Sequence, residues 1–121
     1  MIVCPLANFE EVFHTGNGAV YQCSRKNCYW LEFQGSATAF RISDFFHFKK
    51  IIDKIDIDSM ISDTSRTSDF EVIMPHRTDR CFILSVQDIL NLREILSGAK
   101  FMIELNSEVK KILRKEGVYL V

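Results

Sequence analysis

The chain has 121 residues, 47% hydrophobic and 26% charged, with fifteen basic residues against sixteen acidic ones and a formal net charge of -1. That length suits one domain with a single substantial core and is too short for two. The near-neutral balance supports no general affinity for nucleic acid or anionic membrane, and no apolar run approaches the roughly 20 residues of a membrane span.

The opening residues, MIVCPLANFEEVF, show no basic region followed by an apolar stretch and a small-residue cleavage site, so no export signal is expected. Four cysteines in such a chain read as free thiols of a reducing cytoplasm.

The first third reads as β structure. Val12–His14 and Ala19–Cys23 flank TGNG, and an Asn-Gly pair between apolar runs signals a hairpin whose turn residues take positive φ. In CYWLEFQ, Tyr29, Leu31 and Phe33 alternate with Trp30, Glu32 and Gln34, the period of a half-buried strand. GSAT turns the chain and AFRI returns it, so the expectation is a meander of about four strands.

At Ser43 the period changes. Phe45, Phe48, Ile52 and Ile55 follow helical spacing, with Lys49, Lys50, Asp53 and Lys54 opposite. Ser43 is the expected N-cap, Asp44 adds charge to the first turn, and the helix is expected to end near Asp58. The polar run SDTSRTSD reads as a loop. FEVIMP and RCFILS then form a second hairpin around HRTD, followed by a helix opening at Ser85. The segments 44–52 and 88–96 match in residue class, which suggests two β-hairpin-plus-helix units.

Gly98 poses a choice between a helix end with a further strand and helix, and one helix running on. The apolar phase Leu92, Ile95, Ala99, Met102, Leu105, Val109, Ile112 does not reset there. A mid-helix glycine costs about 1 kcal/mol, which a buried stripe offsets, so one helix from about Val86 to Lys115 is expected. At 1.5 Å per residue it would measure roughly 45 Å, longer than so small a domain. Met102, Leu105, Val109 and Ile112 would then need a partner, most simply a second copy of the chain.

The cysteines carry the candidate chemistry. Cys23 and Cys28 bracket SRKN with a spacing that lets two thiolates reach one zinc ion across a turn; His14 and Cys4 would complete a four-ligand set. The competing readings are two free thiols at a surface turn, or a pair open to oxidation. Cys81 reads as a buried small hydrophobe. Arg25 and Lys26 lie among Tyr21, Tyr29 and Trp30, where basic and aromatic groups together could hold nucleic acid, although no basic excess elsewhere supports this.

His76, Arg77 and Arg80 share the second hairpin turn as a candidate anion or partner contact, and His47 falls on the polar side of the first helix. No glycine-rich phosphate loop, G-x-S-x-G or H-E-x-x-H occurs, and nothing in the sequence argues for catalysis. Phe33, Phe40, Phe45, Phe48, Phe70 and Phe82 fall at core periodicities.

The run VYQCSRKNCYWLEFQGSATAFRISDFFHF resembles a family of small uncharacterised bacterial proteins, in which a cysteine-bearing hairpin leads into an aromatic strand, a glycine turn and a phenylalanine-rich helix. The likeness covers roughly residues 12–55, with a looser echo in the C-terminal helix. It implies no activity, cofactor or catalytic residue. Relatives with a shorter cysteine spacing would imply that a metal site has decayed here. The expected fold is α+β: an antiparallel sheet of about six strands with helices on one face. The expected function is a non-enzymatic binding or assembly module acting as a homodimer, and the alternative is a zinc-stabilised domain that recognises nucleic acid or protein.

Overall fold

Large apolar residues at every second position build the first half of the computed structural model, which describes residues 9–23, 26–62 and 69–115. Strands β1 (Phe9–Thr15), β2 (Gly18–Cys23), β3 (Cys28–Phe33) and β4 (Ser36–Arg41) form an antiparallel meander in that spatial order. Val20, Tyr29, Leu31, Phe33 and Phe40 are buried, and the register places them all on one face. Alternation puts Tyr21, Cys23, Cys28, Trp30 and Glu32 on the other face.

The turns redistribute what the sequence suggested. Positive φ falls at Gln34 (54°) and Gly35 (76°), the β3–β4 connection, as a two-residue type I′ turn requires. The hairpin at TGNG forms, but Asn17 is not among the residues with positive φ. Its N–H instead donates to Thr15 Oγ1 at 3.0 Å.

The first helix, α1, spans Ile42–Asp53. It starts one residue before Ser43, and Arg41 occupies the N-cap without a side-chain cap bond. It also stops short of the expected Asp58, because Asp56 starts a separate helix α2 (Ile57–Ser62) by accepting the Ser59 N–H at 3.1 Å. Phe45, Phe48 and Ile52 face the core as their spacing required. Most of the polar loop that follows, residues 63–68, lies outside the described residues.

Strands β5 (Glu71–Ile73) and β6 (Phe82–Leu84) pair with each other as a separate two-stranded sheet, so the expected single six-stranded sheet is corrected to four plus two. Side chains take the place of a backbone ladder between them: Gln34 Nε2 donates to the Ile83 carbonyl at 3.1 Å, and Arg80 donates to Ser36 Oγ. Two further expectations fail by strand parity. Phe82 and Leu84 point inward, leaving the neighbouring Cys81 exposed, and Phe70 is exposed on the side of Val72.

The last helix, α3, runs unbroken over Val86–Lys115. Ser85 and Asp88 open it as a reciprocal capping box: Ser85 Oγ accepts the Asp88 N–H at 3.1 Å, and Asp88 Oδ2 accepts the Ser85 N–H at 3.0 Å. Ile89, Leu92, Ile95, Leu96 and Ala99 are buried against the sheet and α1. Gly98 belongs to the helix because β1 lies beneath it. A Cβ there would stand 2.3 Å from the Phe13 ring. Gly18 mirrors it from the sheet: a Cβ there would meet the Glu32 carbonyl oxygen at 2.3 Å and Ile95 Cδ1 at 3.0 Å.

Arg93, on the same helix, ties α3 to the end of α1. Its guanidinium donates to the carbonyls of Ile52 (3.2 Å) and Asp53 (3.2 Å) in the last turn of α1, where intrahelical donors run out, and of Ile55 (2.7 Å) just beyond it.

Gly18→Ala is expected to destabilise more than Gly98→Ala in urea unfolding. The first forces a methyl onto backbone, at about 1–3 kcal/mol of strain; the second meets a side-chain ring and regains about 1 kcal/mol of helix propensity. Equal effects would show that the two contacts are not the constraint. Arg93→Ala should cost about 1.5–3 kcal/mol for the lost charged hydrogen bonds, with Arg93→Lys recovering part of it.

Candidate functional site

Among the described residues, two surfaces lie apart from the helix-covered inner sheet face: the outer face of the meander and the far half of α3. On the outer face the register forms three cross-strand rows. Phe9, Cys23, Cys28 and Arg41 make the first; Glu11, Tyr21, Trp30 and Ala39 the second; His14, Ala19, Glu32 and Ala37 the third. The small Ala19 leaves a hollow between His14 and Glu32, which opens into a shallow depression of about 310 Å³ bordered also by Glu11, Tyr21 and Gln34. His14 Nδ1 lies 3.0 Å from Glu11 Oε2. Burial raises the Tyr21 phenol above its ordinary range, and the carboxylates of Glu32 and Glu11 push it further the same way.

Cys23 and Cys28 face each other directly across β2 and β3. Cys23 is fully buried and Cys28 half-buried. Burial raises the Cys28 thiol first, and its hydrogen-bonded neighbour Cys23 adds to the shift; Lys26 and Trp30 pull the other way. Of the other two ligands of the expected zinc set, only His14 falls among the described residues, and it does not join them. His14 pairs with Ala19, four residues along β2 from Cys23, roughly 13 Å at strand rise. Cys4 lies outside the described residues. Among the described residues no group of three or more His, Cys, Asp or Glu side chains is placed to hold a metal ion.

The basic candidates divide. Lys26 is exposed at the β2–β3 turn, and Arg25 lies outside the described residues. Arg77 Nη1 donates to Asp44 Oδ1 at 2.8 Å, holding a carboxylate that α1 buries. Arg80 donates to Ser36 Oγ and lies 4.7 Å over the Phe82 ring. Both arginines thus have partners within the fold. His76 stacks obliquely on His47, ring centroids 5.1 Å apart, joining two histidines that sequence spacing kept separate.

On α3, every residue from Glu104 to Ile112 is exposed, including Leu105, Val109 and Ile112. Phe101 is 63% exposed, while Met102 is half-buried. At 3.6 residues per turn, this stripe is rotated by roughly a third of a turn from the one facing the core. It therefore points to the side of its own domain.

Sequence reasoning did not find Arg93, the Asp44–Arg77 pair or the histidine contact. Arg93 did leave a trace, as a charge beside the buried Leu92, but its carbonyl partners are about 40 residues away in sequence.

The fold defines an α+β protein: a four-stranded meander and a two-stranded hairpin held together by one long helix. Residues 5–115 match the model described as "Family of unknown function (DUF6686)", and the chain belongs to that family. No curated protein and no solved structure matches it. Among the described residues no helix is long and apolar enough to cross a membrane.

Alkylation followed by peptide mapping should label Cys81 first, Cys28 more slowly and Cys23 last. Below its raised pKa, Cys28 gains thiolate about tenfold per pH unit, so its labelling should accelerate from pH 7 to 8.5. Early labelling of Cys23 would contradict the burial described.

Proposed function

We propose that the protein is a non-enzymatic assembly module that forms a homodimer by pairing the far half of α3 with the same segment of a second copy. The observation that carries this reading is a helix that continues well past its last fully buried residue, Ala99, with an apolar stripe turned away from its own core. Leaving Leu105, Val109 and Ile112 in water forfeits burial of about 1.5–3 kcal/mol each, which a partner helix would recover.

Charge order favours a second copy as the occupant. Helical spacing places Glu104, Glu108, Lys111 and Lys115 along one flank of the stripe. Two such helices running antiparallel set Glu104 against Lys115 and Glu108 against Lys111, with the two-fold axis at Val109–Lys110. In the single chain, Glu104 and Glu108 have loose pairs with Lys100 (3.8 Å) and Lys111 (3.2 Å), worth little at such exposure and free to rearrange.

A second reading, a zinc-stabilised domain that recognises nucleic acid or protein, draws on the facing thiols of Cys23 and Cys28. Native mass spectrometry of protein purified without chelator separates the two readings, since one zinc per chain favours the second.

Leu105→Lys and Val109→Glu should each raise the dimer dissociation constant about 30-fold, the factor of a ~2 kcal/mol central contact, with unchanged circular dichroism. Glu104→Lys/Glu108→Lys should likewise weaken the dimer. Adding Lys111→Glu and Lys115→Glu to the same chain should restore it. A wild-type chain that sediments as a monomer at high concentration would end the proposal.

A further inference from the structure

The β2–β3 register offers a second chemistry that the assembly reading does not use. Directly opposed residues of an antiparallel pair hold their Cα atoms roughly 4.5–5.5 Å apart, inside the roughly 4.4–6.8 Å that a disulfide bridges. Cys23 and Cys28 occupy such a pair, on the same face. Both are free thiols, and the nearby Cys23 helps to raise the Cys28 thiol.

Their accessibilities differ in a way that assigns roles. Cys23 has 0% exposure, whereas Cys28 is half-buried, so a reagent from solvent reaches Cys28 first. Trp30, two residues along β3 on the same face, stands beside the Cys28 sulfur. Its Nε1–H is buried without a hydrogen-bond partner, an orphan that costs about 1–3 kcal/mol. A thiolate at Cys28 is a far better acceptor than the thiol and would satisfy it. Lys26, in the adjoining turn, favours the thiolate against the larger opposing effect of burial.

We propose that Cys28 and Cys23 form a thiol–disulfide exchange site for small disulfides of the glutathione type, with Cys28 attacking and Cys23 resolving. Cys28 gives its proton to solvent, and its thiolate attacks one sulfur of RS–SR. The Cys28–SR bond forms as the S–S bond breaks, and RS⁻ leaves with the electron pair to be protonated. Cys23, deprotonated in turn, attacks the Cys28 sulfur and displaces the second RS⁻. The protein loses two electrons and two protons, and RSSR becomes two RSH. Because β2 and β3 are already paired, the product staples a hairpin without moving it. The chain has a single tryptophan, so quenching of Trp30 by the new disulfide reports the step.

The test incubates the full chain with glutathione disulfide at pH 8, followed by acid quenching, intact mass and peptide mapping, with exposed Cys81 as the internal control. In the wild type, Cys23 should be linked to Cys28 with no glutathione retained on either, together with a fall in Trp30 emission. Cys23→Ser should stop at a glutathione adduct on Cys28. Cys28→Ser should leave Cys23 unmodified. The proposal is overturned by a lasting adduct on wild-type Cys28, by an adduct on Cys23 in Cys28→Ser, by pairing of Cys28 with Cys4 or Cys81, or by an unreacted pair once Cys81 is modified.

Discussion

The close approach of α3 to β1 and β2 is the constraint on which the other contacts hang. Helix and sheet come near enough that a Cβ at either glycine would displace a neighbour: Gly98 lies over the Phe13 ring, and Gly18 lies under Ile95 beside the Glu32 carbonyl of the next strand. With the helix held there, Ile89, Leu92, Ile95, Leu96 and Ala99 fill the space between sheet and α1, where Phe40, Phe45 and Phe48 pack in series with centroid spacings of 5.1–6.0 Å. A wider helix–sheet gap would open voids along this whole seam, and voids in a close-packed core cost more than the transfer energy of the missing atoms.

Polar ties then fix the pieces that hydrophobic contact alone leaves free to slide. Arg93 closes the C-terminal end of α1 from α3. Gln34, at the tip of the β3–β4 turn, reaches both the Ile83 carbonyl and Asp88 Oδ2, at 3.1 and 3.4 Å, so one side chain joins meander, hairpin and helix start. Arg77 covers the buried carboxylate of Asp44. Each joins elements far apart in sequence, and those of Arg93 and Arg77 do so at part-buried oxygens, where a partner matters most.

Among the described residues no helix covers the outer sheet face or the far half of α3, and the two suit different chemistry. The outer sheet face carries thiols, a phenol, an indole and carboxylates in fixed cross-strand rows, where register alone decides which groups meet. The far half of α3 carries an apolar stripe with a charged flank, a surface suited to shape and charge matching. Membership of a family of unknown function attaches no activity to either one, so the functional reading rests on these geometries.

Much of this was legible in the chain itself. The period-two alternation of Tyr29, Leu31 and Phe33 and the helical spacing of Phe45, Phe48 and Ile52 identified their elements, because burial on one face writes a period directly into sequence. The uninterrupted apolar phase through Gly98 likewise carried α3 over its full length. Failures came where a neighbour, not a period, decides. Three-residue strands are too short to show which face is buried, so sequence alone assigns Cys81 and Phe70 to the interior that they do not enter. Ser43 is the better cap by residue type, yet the helix starts one residue before it, straight from the end of β4, with Arg41 at the N-cap. Sequence by itself determined the elements and their apolar faces, since these depend on neighbours within a turn or two. Tertiary structure alone decided that the six strands divide into two sheets, that Gly98 answers to Phe13, that Cys23 meets Cys28 and that Arg93 closes α1. Those pairings are set by register and by contacts between residues distant along the chain, for which no local pattern exists.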